Sequence, residues 1–232
     1  MIYGIICAMP EEIKELKAQL EHPVTTTIGD KDYLSGQISG QKVVLVESGI
    51  GKVEAAITAE HLITDLKADV VINSGSAGGI GEGLAVGDVV VSTATAYHDV
   101  DVTAFGYENG QLPGQPARFT ADQSLVAALV KAGAETGLTV RTGLIVSGDQ
   151  FIASQAQIVV IKQKFPDVLS SEMEGAAVGQ VANDHQVPYA VVRAMSDNGD
   201  EDAGVSFDEF IIEAGQRSAK MLLQLFANLA EG

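Results

Sequence analysis

Hydrophobic and polar positions divide the chain into two kinds of segment. Short, nearly continuous apolar runs, Tyr3–Met9, Lys42–Ser48, Asp69–Asn73, Asp88–Ser92, Thr139–Val146 and Tyr189–Ala194, have the length of buried strands. Amphipathic stretches follow several of them: Pro10–Glu21, Lys52–Lys67, Asp122–Thr136, Gln155–Phe165, Glu174–Asp184 and Phe207–Ala230 read as helices. Pro10 suits a first helical position, because the N–H that proline lacks is unpaired there anyway. This β-then-α alternation predicts an α/β fold: a three-layer α/β/α sandwich whose central mixed, largely parallel sheet is flanked by helices. No repeat, low-complexity segment or linker interrupts the pattern, and 232 residues with 46% hydrophobic content suit a single domain over 1–232. The stretch Thr93–Phe119 is different, with no helical period and many turn formers. A loop of that length in a compact domain is usually functional or covers something.

Charge narrows the choice of partners. With 14 Lys+Arg against 31 Asp+Glu the formal net charge is −17, which repels nucleic-acid phosphates and anionic lipid surfaces alike. A small, neutral or cationic substrate is expected, although net charge reports on solubility before it reports on ligands, and solubility is the better explanation of such acidity. Cys7 is the single cysteine and lies in an apolar run, so neither an intramolecular disulfide nor a cysteine-clustered zinc site is available. The opening MIYGIICAMPEEIKEL has no basic segment of the secretory kind, and no apolar run approaches the ~20 residues that span a bilayer. A soluble, cytoplasmic protein is expected.

In open α/β sheets ligands bind beyond the carboxyl ends of the strands, so the residues that close each strand carry the candidate chemistry. Here these are Ala8-Met9-Pro10-Glu11-Glu12, Ser48-Gly49-Ile50-Gly51-Lys52 and Asn73-Ser74-Gly75-Ser76-Ala77-Gly78-Gly79, then Ser147-Gly148-Asp149, Ser171-Glu172-Met173-Glu174 and Arg193-Ala194-Met195-Ser196-Asp197. Glycine and serine allow close approach of a ligand to the backbone, while the carboxylates and the arginine supply acid, base and hydrogen-bonding groups. Each piece also has an ordinary explanation. Glu11, Glu12, Glu172 and Glu174 could merely favour helix starts, and Arg193 and Asp197 could be a structural ion pair. The glycines of Gly75–Gly83 depart from the dinucleotide fingerprint and do not follow the first strand. His98, followed by Asp99 and Asp101, lacks the second histidine of a transition-metal site and reads as structural.

The pieces gain weight together. GIICAMPEE, SGIGKVEAA, NSGSAGG, YHDVDVTAFGY, LIVSGDQFI, SSEMEGAAVG, VVRAMSDNGD and SFDEF, in this order and spacing, closely resemble the 5′-methylthioadenosine/S-adenosylhomocysteine nucleosidases of the nucleoside phosphorylase superfamily. The likeness runs from the first strand to the last helix. It implies a nucleoside phosphorylase-like fold and hydrolysis of the N9–C1′ bond, giving adenine and a 5-thioribose, in methionine salvage and the activated methyl cycle. It implies no metal and no cofactor. 5′-Deoxyadenosine is a further candidate substrate.

By the same resemblance Asp197 is the acid that protonates adenine N7 and Glu12 the base that activates water, with Arg193 and Ser76 holding that water. Two carboxylates flanking a glycosidic bond form the inverting arrangement. Glu174, beside the backbone of Met173, matches the clamp on the ribose 2′ and 3′ hydroxyls. Phe151 matches the residue stacked on the base, and Ile152 the backbone group that reads its edge. Met9, Ile50, Met173 and Phe207 match the lining of the 5′-alkylthio pocket, and Ala77, Gly78, Glu172 and Ser196 complete the substrate-binding set. Val102, Phe105 and Pro113 resemble residues lent to a neighbouring subunit's pocket, which implies a homodimer. Ser170 and Ser171 stand before Glu172 where the family often carries a small aliphatic residue, and this bears on specificity.

Alternatives stay open at this point. A phosphorolytic purine nucleoside phosphorylase shares the fold but needs cationic or N–H-rich contacts to its anion, and here Met9-Pro10-Glu11-Glu12 occupies the place where extra arginine is usual. A futalosine-type nucleosidase differs only in its 5′ pocket. A non-catalytic nucleoside-binding or sensor protein would bind without turnover.

Overall fold

A computed structural model describes residues 1–231. Among them are ten strands, β1 (Ile2–Cys7), β2 (Glu21–Ile28), β3 (Lys31–Ile38), β4 (Gln41–Glu47), β5 (Val70–Gly79), β6 (Val89–Tyr97), β7 (Phe119–Thr120), β8 (Val140–Ser147), β9 (Val168–Glu172) and β10 (Tyr189–Asp197). Six helices accompany them: α1 (Pro10–Ala18), α2 (Lys52–Thr64), α3 (Gln123–Glu135), α4 (Gln155–Lys164), α5 (Gly175–His185) and α6 (Ala203–Glu231). Every helix expected from the apolar period is present, because each buries one stripe. In α6 the stripe is Ile211, Ala214, Gly215, Ser218, Leu222 and Leu225, at spacings of three and four residues. The starts of α3 and α4 are set locally, Asp122 accepting the Leu125 N–H and Ser154 the Gln157 N–H.

All ten strands belong to one mixed sheet. Its parallel pairs are β1–β4, β1–β5, β5–β10, β6–β8 and β8–β9. The antiparallel pairs are β2–β3, β3–β4, β5–β9, β6–β7 and β6–β10. Pairings from β5 through β10, β6, β8 and β9 return to β5, so half of the sheet closes on itself and the rest continues as an open flank through β1, β4, β3 and β2. Four strands are not announced by apolar runs. β2 is exposed almost throughout and tolerates Pro23 at the sheet edge. β3 buries only Tyr33 and Ile38, β7 is two residues long, and β9 carries buried Ser170 and Ser171. The irregular middle is shorter than Thr93–Phe119: β6 runs on to Tyr97, and the segment beyond it holds one 3-10 turn, Thr103–Phe105.

Alternation along the strands builds a core on each face. Ile5, Ile72 and Val192 pack with Leu16 of α1, Leu129 of α3 and Leu222 of α6. Their neighbours Ile6, Val71 and Val191 pack with Leu62 of α2 and Val178 of α5. Ile158 and Ile161 of α4 cover Leu144 and Val146. Among the described residues no helix is long and apolar enough to cross a membrane.

Candidate active site

The carboxyl ends of β1, β5, β9 and β10 meet around a cavity of about 600 Å³, within the usual range for small-molecule sites. Met9 and Glu12 come from the turn into α1, Ile50 from the loop after β4, and Ser76, Ala77 and Gly78 from β5. Glu172, Met173 and Glu174 come from the end of β9, and Ser196 and Asp197 from β10. Phe151, Ile152 and Phe207 complete the wall. The two aromatic rings meet edge to face with centroids 5.7 Å apart, and Phe151 is half-exposed at the mouth.

Glu12 is 2% exposed, and both of its oxygens have donors. Oε2 accepts the N–H groups of Ala8 at 2.9 Å and Met9 at 3.2 Å. Oε1 accepts the N–H of Ser76 at 2.8 Å and its hydroxyl at 2.9 Å. The first pair is local, a side chain at the third helical position reaching back to the helix start. The second pair crosses from α1 to β5.

Arg193 is wholly buried in the middle of β10. Its Nη2 donates to Asn73 Oδ1 at 2.5 Å, to Glu172 Oε2, and to Glu174 Oε2 at 3.2 Å. Burial alone would lower the guanidinium pKa, but Glu172, Glu174 and Glu12 together raise it above the ordinary arginine range. Gly75 makes this crowding possible, because a Cβ there would collide with both Arg193 Nη1 and Glu12 Oε1. Glu172 is spent on structure. Beyond Arg193 it accepts the Ser147 hydroxyl, the Glu174 N–H at 3.1 Å and the Gly175 N–H at 2.8 Å at the start of α5.

Glu174 is also buried, and its Oε1 accepts the Gly51 N–H at 2.8 Å. Burial pushes its pKa up to about 7, against the pull of Arg193 and the Gly51 hydrogen bond and with the help of Glu172 and Glu12. Asp197, 2% exposed, accepts the Gly199 N–H at 2.8 Å and the Ser196 hydroxyl at 2.9 Å. Burial raises its pKa, those hydrogen bonds restrain the rise, and Asp200 adds to it. An Arg193–Asp197 ion pair, which the sequence allows, does not form among the described residues: Arg193 pairs with Glu172 and Glu174 instead. A bulge between Met195 and Asp197 inserts one extra residue and reverses the facing of the strand beyond it. Asp197 thereby aligns with Gly78, while Arg193 aligns with Gly75.

Arg193 lies behind the cavity wall, and Val102, Phe105 and Pro113 lie outside the cavity on the irregular segment. Phe105 is 82% exposed. Five further residues line the cavity: Ala8 and Ser171, which the sequence places at strand ends without assigning them a role, and Gln150, Gly204 and Asp208, which it does not single out. All but Gly204 sit inside the motifs quoted above, so adjacency was the available signal. His98 is buried, its pKa lowered by burial, and packs where a Cβ on Gly148 would touch its ring, in keeping with a structural role. No cluster of His, Cys, Asp and Glu suited to a metal occurs among the described residues.

Comparison with known proteins shows the family. Residues 2–227 match the family model described as the phosphorylase superfamily. The chain is 48% identical over 229 residues to a 5′-methylthioadenosine/S-adenosylhomocysteine nucleosidase of Actinobacillus succinogenes, covering 99% of this chain and 100% of that protein. The enzyme of that name from S. pneumoniae, solved with the transition-state inhibitor MT-ImmA, superposes with a TM-score of 0.95 at 47% identity, covering 99% of this chain and 100% of that one. The Neisseria meningitidis enzyme, in complex with methylthio-immucillin-A, gives a TM-score of 0.96 at 45% identity, covering 98% and 99%. Sequence and fold agree over essentially the whole chain, which belongs to the phosphorylase superfamily and, within it, to the 5′-methylthioadenosine/S-adenosylhomocysteine nucleosidases.

Proposed function

We propose that this chain hydrolyses the N9–C1′ bond of 5′-methylthioadenosine and S-adenosylhomocysteine, releasing adenine and the 5-thioribose. The observation that carries the reading is a pair of buried carboxylates, Glu12 and Asp197, on one cavity, with Arg193 behind its wall already engaged by Glu172 and Glu174. Adenine is a poor leaving group unless protonated. Asp197, with its raised pKa, is suited to hold a proton and give it to N7 as the N9–C1′ electron pair moves onto the purine. On the opposite face of the ribose, water bonds to C1′ and yields its proton to Glu12, beside the Ser76 hydroxyl. One acid and one base of this kind invert the anomeric centre. Glu174 takes the 2′ and 3′ hydroxyls, and when ionised it stabilises the positive charge that develops on the ribose.

Phe151 suits stacking on the base and the backbone of Ile152 its edge, while Met9, Ile50, Met173 and Phe207 suit the alkylthio group. The exposure of Phe105, which does not line its own cavity, supports a homodimer in which Val102, Phe105 and Pro113 wall the partner's pocket. Phosphorolysis is disfavoured electrostatically, because a phosphate at C1′ would face Glu12, and among the described residues no lysine or arginine lines the cavity. Incubation with methylthioadenosine, S-adenosylhomocysteine, 5′-deoxyadenosine and futalosine, each with and without phosphate, tests the reading by chromatography of the products. Adenine and free thioribose should form from the first two at a rate independent of phosphate. Turnover only with phosphate, or binding without turnover, would overturn it.

A further inference from the structure

Lys52, Asp99 and Asp149 each belong to a glycine-rich or polar strand end, and none lines the cavity. They nevertheless converge. Lys52 Nζ donates to Asp99 Oδ2 at 2.6 Å and lies 3.6 Å from Asp149 Oδ2. The same Asp99 oxygen accepts the Asp149 N–H at 3.0 Å, and Asp149 Oδ1 accepts the Lys52 N–H at 2.9 Å. Lys52 also sits over the Tyr97 ring, 5.4 Å from its centroid. The knot therefore ties the start of α2 to the ends of β6 and β8.

The neighbours of the knot give it consequence. Immediately before Lys52 is Gly51, whose N–H reaches Glu174 and whose φ of 101° is strained for any residue with a Cβ. Immediately after Asp149 come Gln150, Phe151 and Ile152 of the cavity wall. Asp149 thus contacts the backbone of one segment through its side chain and carries the other through its own chain. We propose that Asp149, supported by Lys52 and Asp99, is a positioning residue that fixes the Gly51 amide on Glu174 and the Phe151–Ile152 segment in a single relation to each other. This rests on the nucleosidase reading for the ribose clamp and the base platform.

The groups facing Glu174 are Arg193 from β10, Glu172 from β9, Glu12 from α1 and the Gly51 N–H from the loop after β4. Of these only the Gly51 donor depends on Asp149. If Asp149→Ala lets that amide drift, Glu174 loses a hydrogen bond that favours its ionised form, and its pKa rises further. The acid limb of kcat/KM then moves to higher pH. Asp149→Asn keeps an oxygen for the Lys52 N–H and serves as the rescue variant.

The experiment compares wild type, Asp149→Ala and Asp149→Asn for methylthioadenosine hydrolysis across pH 5–9, with melting temperature and adenine binding by calorimetry measured in parallel. We expect Asp149→Ala to lose about tenfold in kcat/KM, the scale of a modest misplacement at a reacting centre, with weaker adenine binding and the acid limb displaced upward. Asp149→Asn should stay within about threefold of wild type on the same basis. An alanine variant within twofold of wild type, or one whose loss equals its unfolded fraction with an unmoved pH limb, would overturn the assignment. A wild-type protein that fails to turn over would instead overturn the nucleosidase reading, and adenine binding would then decide whether the knot still organises the base platform.

Discussion

Replacing Glu12 by glutamine is a harsher perturbation than its near-identical shape suggests. The carboxylate meets four donors, two on each oxygen. An amide has only one acceptor oxygen, so its NH2 must turn toward one of the two donor pairs. Facing Ala8 and Met9 it would strand two backbone N–H groups. Facing Ser76 it strands one, because the serine hydroxyl can rotate to accept, and this orientation should prevail. The remaining orphan, the buried Ser76 N–H, costs about 1–3 kcal/mol, which for a domain of this size lowers the melting temperature by roughly 2–4 °C per kcal/mol. The catalytic loss is separate: glutamine can hold water but cannot take its proton, so the chemical step should slow by roughly 10²–10⁴. Single-turnover hydrolysis of methylthioadenosine, with adenine measured by chromatography, isolates that step, and thermal denaturation reads the stability. A chemical step within tenfold of wild type would remove Glu12 from the base's role. An unchanged melting temperature would refute the hydrogen-bond accounting even if activity were lost.

Asp197→Asn leaves a hydrogen-bond donor without a transferable proton, so turnover of methylthioadenosine should fall by roughly 10²–10⁴; a folded variant slowed less than tenfold would exclude Asp197 as the acid. Phe105→Ala should weaken methylthioadenosine binding by about 1–3 kcal/mol, the value of a buried aromatic side chain, with activity tracking dimer concentration in sedimentation and dilution assays; a fully active monomer would refute the shared pocket. Glu174 has a folded pKa of about 7, above its ordinary value of 4.5, so the folded state binds more protons than the unfolded state between those limits. Its contribution is fully present below 4.5 and is lost as pH rises through about 7. Wild type should therefore lose more stability than Glu174→Gln between pH 5 and 8, measured by denaturant unfolding, and parallel curves would refute the burial argument.

Much of this molecule is local and so legible along the chain. All six helices are expected from apolar spacing, and Glu12 reaches the Ala8 and Met9 amides within a single helical turn. Strands buried on both faces, such as β5 and β10, show as apolar runs for the same reason. The β2–β3 hairpin does not, because an exposed edge imposes no hydrophobic pattern, and β9 is masked by serines that sit where β5 and β8 close the ring. The chemistry of the site divides similarly. Residue types at the strand ends mark a polar rim, but only the joining of the open flank to the ring brings Ser76 to Glu12, 64 residues away, and Gly51 to Glu174, 123 residues away. Arg193 meets Glu172 and Glu174 and not Asp197, because residues four apart along one strand stand about 13 Å apart, whereas the end of β9 is brought beside β10 only by the fold. Spacing of side chains along a segment is a property of the sequence; burial, and with it the raised pKa of Glu174 and Asp197, exists only once distant segments have excluded water together.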